Sequence, residues 1–169
     1  ITKVNDISIS GTMSLEFIDN TGATSNSSVN SKTFCVGGFV AYASSAYFKN
    51  VIADGITLKS PGWAGGLIGN QDYASGSKVN ENEFTDCVIK DSTIEALQIA
   101  GGVIGDLRFY GGDKDPTIAG MSVTINNLSV VNTSVIAKCN NEYVYAGGIV
   151  GRFRIQTNLY QYKKLILNN

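Results

Sequence analysis

Short runs of alternating apolar and polar residues cover most of this chain, and glycine or asparagine interrupts them at frequent intervals. The segments 92–99 and 133–137 are rich in β-branched residues, and their apolar positions recur at roughly every second residue. A period of two is typical of a strand with one buried face, whereas no stretch of helical length has apolar residues at i, i+3, i+4 and i+7. The pattern therefore predicts an all-β protein of many short strands.

A glycine phrase occurs four times along the chain. The copies at 64–69, 100–105 and 146–151 read Ala-Gly-Gly, two apolar residues and Gly, while the copy at 35–40 is looser and is followed by Ala41 in place of the third glycine. The first glycines of successive pairs are 28, 36 and 46 residues apart. Self-similarity at such intervals indicates a stacked repeat architecture. The glycine pairs are Gly37 and Gly38, Gly65 and Gly66, Gly101 and Gly102, and Gly147 and Gly148.

A second phrase lies between the glycine phrases and consists of an apolar residue, a polar residue, Asp or Asn, and another apolar residue. It occurs at 4–10, 48–54, 84–90 and 125–131, with the Asp or Asn positions 44, 36 and 41 residues apart. A fifth copy starts at 167–169, so we expect the sequence to stop within a repeat. The Asp and Asn positions of the four full copies are Asp6, Asn50, Asp86 and Asn127.

Both phrases have a physical role if the chain is a parallel β-helix of about four repeats, which is the fold that we predict. Equivalent strands then stack about 4.8 Å apart, and inward apolar residues form ladders that one repeat could not bury alone. Each glycine pair marks a corner that has no room for a Cβ atom or that needs a positive φ. Asp and Asn side chains bond to the turn backbone, Asn tolerates the left-handed conformation, and stacked Asn amides can hydrogen-bond between repeats.

The chain divides into an N-terminal partial repeat or cap at 1–32, which includes an unrepeated polar insertion at 21–32, and β-helix repeats at 33–169. The variable loops after the glycine phrases are the predicted partner-facing side. Unpaired strand edges at the two ends predict end-to-end self-association or continuation in a longer parent chain. The start at Ile1, without a leader pattern, likewise predicts a piece of a longer precursor.

The charge balance gives no reason to expect nucleic acid as a partner, because 13 basic and 14 acidic residues leave a formal charge of −1. The chain has no histidine, which removes the commonest general base, a common zinc ligand and every Ser-His-Asp or Cys-His nucleophile system. We therefore expect no metal and no cofactor. No run of 18 apolar residues is present, so we predict no membrane span.

Three cysteines, Cys35, Cys87 and Cys139, lack the C-x-x-C spacing of a metal site. Their odd number also argues against a disulfide framework. We predict that they are small buried apolar side chains.

The glycine phrases, together with Phe84-Thr85-Asp86-Cys87, resemble the GLUG motif of bacterial surface and secreted proteins. The resemblance covers the chain from Thr33 onward and, before that, only 4–10; the first glycine phrase departs from the motif at Ala41. It implies a right-handed parallel β-helix in an extracellular or cell-surface protein. Because the motif is structural in that family, the resemblance implies no catalytic residue.

A carbohydrate-active β-helix enzyme, a polysaccharide lyase or hydrolase, is the alternative. Such enzymes use paired acidic residues or a Lys or Arg base near Ca²⁺. Asp86 and its equivalents recur once in each repeat, which indicates a structural role, whereas an active-site pair would be unique to one place. The 113–115 segment suits either Ca²⁺ binding or a solvated turn. The charged candidates for the alternative are Asp86, Asp91, Asp106, Arg108, Asp113, Lys114 and Asp115.

Aromatic residues beside the glycine phrases are the candidates for ligand recognition. Exposed rings in a row would stack on a sugar or anchor a protein partner, whereas inward rings would close the core at the corners. A basic C-terminal patch either packs on further repeats or faces solvent, and consists of Arg152, Arg154, Lys163 and Lys164. The aromatic candidates are Trp63, Tyr73, Phe109, Tyr110, Tyr143 and Tyr145.

The sequence thus predicts a non-catalytic module for adhesion or recognition, located outside the cell or on its surface. Its expected partner is a host or bacterial surface glycan or protein. A purely structural stalk, which would hold another domain away from the cell, is a further alternative.

Overall fold

A computed structural model describes residues 2–16, 34–72, 80–110, 121–138, 144–156 and 164–168. These residues form fifteen β-strands and no helix, which confirms the predicted all-β class. None of the described segments is therefore a helix long and apolar enough to cross a membrane. The strands are β1 (Thr2–Glu16), β2 (Cys35–Gly37), β3 (Val40–Ala43), β4 (Ala46–Ser60), β5 (Trp63–Gly65), β6 (Ile68–Gln71), β7 (Asn80–Lys90), β8 (Thr93–Ala96), β9 (Ile99–Gly101), β10 (Ile104–Tyr110), β11 (Met121–Val131), β12 (Ser134–Ala137), β13 (Tyr145–Gly147), β14 (Val150–Gln156) and β15 (Lys164–Asn168).

The described strands form three sheets, and every pairing among them is parallel. The largest sheet has the order β12-β8-β4-β7-β11-β15, with β1 also paired to β4. The other two have the orders β14-β10-β6-β3 and β13-β9-β5-β2. Neighbouring strands come from successive repeats, so each glycine phrase and each Asp/Asn phrase pairs with the next copy of itself. The predicted parallel sheets are therefore confirmed.

The glycine phrase forms the bend between a three-residue strand and the strand after it. The first glycines of the four copies are in register across β2, β5, β9 and β13. A Cβ atom on Gly65 would lie 1.9 Å from the carbonyl oxygen of Ile68, and one on Gly66 would lie 2.1 Å from that of Gly102. No glycine of the four phrases has a positive φ. Close backbone approach, rather than a left-handed conformation, is therefore the reason for glycine here.

The Asp/Asn positions are left-handed. Asp6, Asn50, Asp86 and Asn127 have φ values of 53°, 52°, 55° and 50°. Their side chains also bond between repeats: Asn50 Nδ2 donates to Asp6 Oδ1 at 2.8 Å, and Asn127 Nδ2 donates to Asp86 Oδ1 at 2.7 Å. The bonding is therefore between amide and carboxylate, not between two amides.

A second left-handed row lies where β7 gives way to β8 and β11 to β12. Asp91 and Asn132 have φ values of 50° and 47°, and Asn132 Nδ2 donates to Asp91 Oδ1 at 3.2 Å. Gly55, with φ of 68°, takes the corresponding position within the long strand β4. Neither repeated phrase of the sequence predicted this row.

Apolar residues of successive repeats lie beside one another in the interior. Phe48 and Phe84 are register partners, and their rings stack with centroids 5.4 Å apart and planes 13° apart. Cross-strand contacts of this kind let each repeat bury apolar side chains that it could not bury alone.

The cysteines differ in how far they are covered. Cys87 is a fully buried free thiol between Val51 and Leu128, as expected for a small apolar side chain. Cys35 is also a free thiol but is only partly buried, because it lies on β2, the terminal strand of its sheet. Cys139 lies outside the described residues.

Candidate functional site

A row of polar side chains crosses the sheet β14-β10-β6-β3, on the strands that come after the glycine phrases. Asn70, Asp106 and Arg152 are register partners in this sheet. Arg108 and Arg154 are partners two residues further on. Residues in register on parallel strands point to the same face, so these side chains are neighbours although up to 84 positions separate them in sequence.

Asp106 is fully buried, and guanidinium groups surround its carboxylate. Arg152 donates from Nε to Oδ1 at 2.8 Å and from Nη2 to Oδ2 at 3.0 Å. Arg154 Nη2 and Arg108 Nη2 donate to Oδ2 at 2.9 and 3.4 Å. Arg108 Nη1 also donates to Asp72 Oδ2 at 3.3 Å. Burial of a carboxylate is costly unless it is paired, and these contacts supply the pairing.

We call Asp72, Asp106, Arg108, Arg152 and Arg154 the Arg–Asp cluster. It holds three cations and two carboxylates, so one positive charge is in excess. The side chain of Arg154 is 38% exposed, against 13% for Arg108 and 15% for Arg152. An anion that approaches the cluster therefore meets Arg154 first.

The negative charge of one cluster member, Asp72, also acts on a residue of the first repeat. Tyr42 is the register partner of Asn70 at the other end of the polar row. Burial first, and then the charge of Asp72, raise the pKa of the Tyr42 hydroxyl. The shift therefore keeps the Tyr42 hydroxyl protonated further into the alkaline range than an ordinary tyrosine.

Two of the predicted aromatic residues contact the Arg–Asp cluster. The guanidinium carbon of Arg108 lies 5.5 Å from the ring centroid of Trp63, and that of Arg152 lies 5.3 Å from Trp63 and 5.5 Å from Tyr145. These distances are within the range of cation–π attraction. Trp63 is only 1% exposed, and its Nε1 donates to Gln98 Oε1 at 3.0 Å.

Trp63 and Tyr145 differ in exposure because they lie in different repeats of the stack. Trp63 is almost fully buried, but it lies beneath the guanidinium groups of Arg108 and Arg152 and not in the apolar core cluster that contains its neighbour Ala64. Tyr145, two repeats later at the same register position, is 37% exposed. Phe109 and Tyr110 end β10, and the structure describes only their backbone; Tyr73 and Tyr143 lie outside the described residues.

The four described residues among those considered for a carbohydrate-active enzyme do not all lie in one place. Asp106 and Arg108 belong to the Arg–Asp cluster, whereas Asp86 and Asp91 lie in the two left-handed rows and accept hydrogen bonds from asparagines. The 113–115 segment lies outside the described residues. Within the described part of the chain, no three His, Cys, Asp or Glu side chains are grouped to hold a metal ion.

For the basic C-terminal patch the sequence left open packing on further repeats or exposure to solvent, and the structure places its two arginines against the preceding repeat. Both bond to Asp106, and Arg152 is mostly covered. Arg152 is the register partner of Asp106, and Arg154, two residues further on, reaches the same carboxylate. Lys164 begins β15, where only the backbone is described, and Lys163 lies outside the described residues.

Sequence reasoning missed Asn70 and Asp72. Both polar atoms of the Asn70 side chain are buried and without a hydrogen-bond partner, as are Nε of Arg108 and Nε of Arg154. The signal that would have found these residues is an alignment of the three positions after each third glycine. That alignment gives Asn70-Gln71-Asp72, Asp106-Leu107-Arg108 and Arg152-Phe153-Arg154, with a polar or charged residue first and a charged residue third.

Comparisons with protein-family models, curated proteins and solved structures find no match for this chain. The class that the fold and the cluster define is an all-β protein with parallel sheets and a buried ion-pair network on one of them.

Proposed function

We propose that the chain is a non-catalytic recognition module of a cell-surface or secreted protein, folded as a right-handed parallel β-helix of about four repeats. The parallel pairing of each repeat with the next supports this arrangement. The ligand that we propose is acidic, either a carboxylated glycan or an acidic segment of a protein. The Arg–Asp cluster is the observation that carries the proposal.

The charge and the shape of the cluster suit such a ligand. One positive charge is in excess, and Arg154 extends its guanidinium toward solvent. A guanidinium group binds a carboxylate through two parallel hydrogen bonds. The exposed ring of Tyr145 lies beside Arg152 and offers an apolar surface for a sugar ring or an aliphatic side chain.

The same contacts speak against catalysis by Asp106. Both of its carboxylate oxygens accept hydrogen bonds from guanidinium groups, so neither oxygen faces a substrate. The carboxylates of Asp86 and Asp91 accept hydrogen bonds from Asn127 and Asn132 of the next repeat, as structural residues would.

The test is the binding of the purified chain to an array of neutral, carboxylated and sulfated glycans and to poly-glutamate. We expect carboxylated probes to bind and the binding to weaken as salt is raised. Arg154→Ala should weaken it at least about tenfold, which corresponds to about 1.4 kcal/mol.

Lys138→Ala is the matched control, because Lys138 is an exposed, ion-paired cation that directly follows β12 of another sheet. Equal loss in both variants would contradict a specific role for Arg154. A chain that binds none of the probes at millimolar concentration would leave only a structural stalk, and turnover of a polysaccharide would contradict the non-catalytic proposal.

A further inference from the structure

The last glycine phrase exposes residues whose equivalents are buried in earlier repeats. Ile149 is 36% exposed, whereas Val103 and Leu67 at the same position are fully buried. Tyr145 is 37% exposed, whereas Ile99 is 1% exposed. Strands β13 and β14 are the terminal strands of their sheets. We call residues 145–150 the terminal edge.

Backbone hydrogen-bond donors of the terminal edge also lack the partners that earlier repeats have. In each inner repeat the N–H groups of the second glycine and of the residue after it donate to carbonyls of the following repeat. For Gly148 and Ile149, no residue of the described part accepts the corresponding bond. The inner bonds run from Gly38 N to Gly65 O (3.2 Å), from Gly66 N to Gly101 O (3.3 Å) and from Gly102 N to Gly147 O (3.1 Å).

The space beside Gly148 is open. A Cβ atom built on Gly38, Gly66 or Gly102 would lie 2.2, 2.1 or 1.9 Å from a glycine carbonyl oxygen of the following repeat. A Cβ atom built on Gly148 would meet no atom of the described residues within 4 Å. Gly148 is thus shaped for the same close approach as the other three, but no described residue makes it.

We propose that the terminal edge binds one more glycine phrase by β-augmentation. The occupant is a polypeptide segment of the form strand, Gly-Gly, strand, and it adds one parallel strand to β13 and one to β14. Its second glycine places a carbonyl over Gly148, and its carbonyls accept from the N–H groups of Gly148 and Ile149. This inference rests on the proposed stacking of repeats but not on the proposed acidic ligand.

The pairing of β15 favours such a segment over a second whole copy of this chain. If β2 and β3 of a second copy paired with β13 and β14, the β1 of that copy would have to pair with β11 from Val123 onward. Strand β15 already pairs with β11 over Ser122–Asn126. A whole copy would therefore have to displace β15, whereas a single glycine phrase would not.

The probe is a fluorescein-labelled peptide of residues 62–70 (Gly-Trp-Ala-Gly-Gly-Leu-Ile-Gly-Asn), which carries no charged side chain. It is titrated with the full chain and followed by anisotropy, with a scrambled peptide as control. We expect saturable binding to the wild-type chain. Gly148→Ala should weaken it at least about tenfold, because the added methyl group occupies the place of the incoming carbonyl.

Gly148→Ala should leave thermal unfolding unchanged, because no described residue lies near the new Cβ atom. A loss of binding that leaves thermal unfolding unchanged cannot be attributed to misfolding. Arg154→Ala should bind the peptide like the wild type, which separates this edge from the acidic-ligand site. Equal binding by Gly148→Ala and wild type, or no saturable binding by the wild type, would overturn the proposal. Self-association of the full chain in sedimentation, abolished by Gly148→Ala, would overturn the choice of occupant in favour of a second copy.

Discussion

Single residues in the left-handed conformation interrupt the extended backbone and mark a bend within each of the long strands β1, β4, β7 and β11. Asp6, Asn50, Asp86 and Asn127 each hold φ near 50°, where a side chain with a Cβ atom costs about 1–2 kcal/mol per residue. Asn and Asp tolerate this region because a short polar side chain can bond locally. In this chain they also bond to the next repeat, so a residue that tolerates the bend also links the repeats.

Replacement of Asn50 should separate backbone strain from the side-chain bond. Asn50→Ala and Asn50→Gly both remove the hydrogen bond to Asp6, but only alanine keeps the steric cost of positive φ. We expect the glycine variant to be more stable by about 1 kcal/mol in urea denaturation.

At the exposed neighbour Lys49, whose φ is not positive, the order should reverse because glycine costs backbone entropy in a strand. Equal stabilities of the two Asn50 variants would show that the left-handed backbone carries no strain.

The Cys87 thiol should make stability depend on pH in the alkaline range. Burial raises its pKa from 9.0 to about 11. In the unfolded chain the thiol ionises near its ordinary pKa, while in the folded chain it stays protonated until about 11. The free energy of unfolding should therefore fall as pH rises from about 9 to about 11, by on the order of 2 kcal/mol.

Cys87→Ala is the comparison, because it removes this thiol and leaves the other groups that titrate above pH 8. Urea denaturation at several pH values would measure the difference. Parallel pH profiles for the variant and the wild type would contradict the expectation.

At the scale of the element, the glycine phrase lets two strands and a bend pack against the same element of the next repeat, backbone on backbone. The approach is so close that the carbonyl of one phrase occupies the place where the previous phrase would carry a side chain. Such contacts need a small residue at one position in every repeat, which explains why the phrase varies so little.

Gly66→Ala should destabilise the chain by about 1–3 kcal/mol or prevent folding, because its Cβ atom would lie 2.1 Å from the carbonyl oxygen of Gly102. Gly148→Ala makes the same chemical change in open space and should stay within about 0.5 kcal/mol of the wild type. Thermal and urea unfolding of the two variants would check the contrast. Similar stabilities of the two variants would mean that the backbone around Gly66 adjusts to the added methyl group with no loss of stability.

At the scale of the whole molecule, the sequence predicts best those features that the repeats share. The recurrence of the glycine and Asp/Asn phrases predicts which segments pair, because parallel register brings like positions together. The second left-handed row could not be predicted in this way, because Gly55 occupies the position that Asp91 and Asn132 occupy in the later repeats.

The Arg–Asp cluster could not be predicted for a related reason. Its residues differ from repeat to repeat, so no period marks them, and only the three-dimensional register shows that Asn70, Asp106 and Arg152 are neighbours. The orientation of an aromatic ring is equally hidden: Trp63 and Tyr145 share a position, but the repeats above and below decide which ring is covered. The repeated phrases therefore predict the fold, whereas the candidate site is formed by residues that differ from one repeat to the next.

The order of Asp and Asn along the left-handed row limits how such an array can lengthen. Each carboxylate in the row, Asp6 or Asp86, is followed by an asparagine that donates to it. Duplication of an Asp-bearing unit alone would set carboxylate against carboxylate, which is unfavourable between adjacent strands. Duplication of an Asn-bearing unit, or of an Asp unit together with its Asn unit, avoids that repulsion. Duplication of the acidic repeat by itself would thus carry an electrostatic cost that duplication of the amide-bearing repeat, or of the pair, avoids.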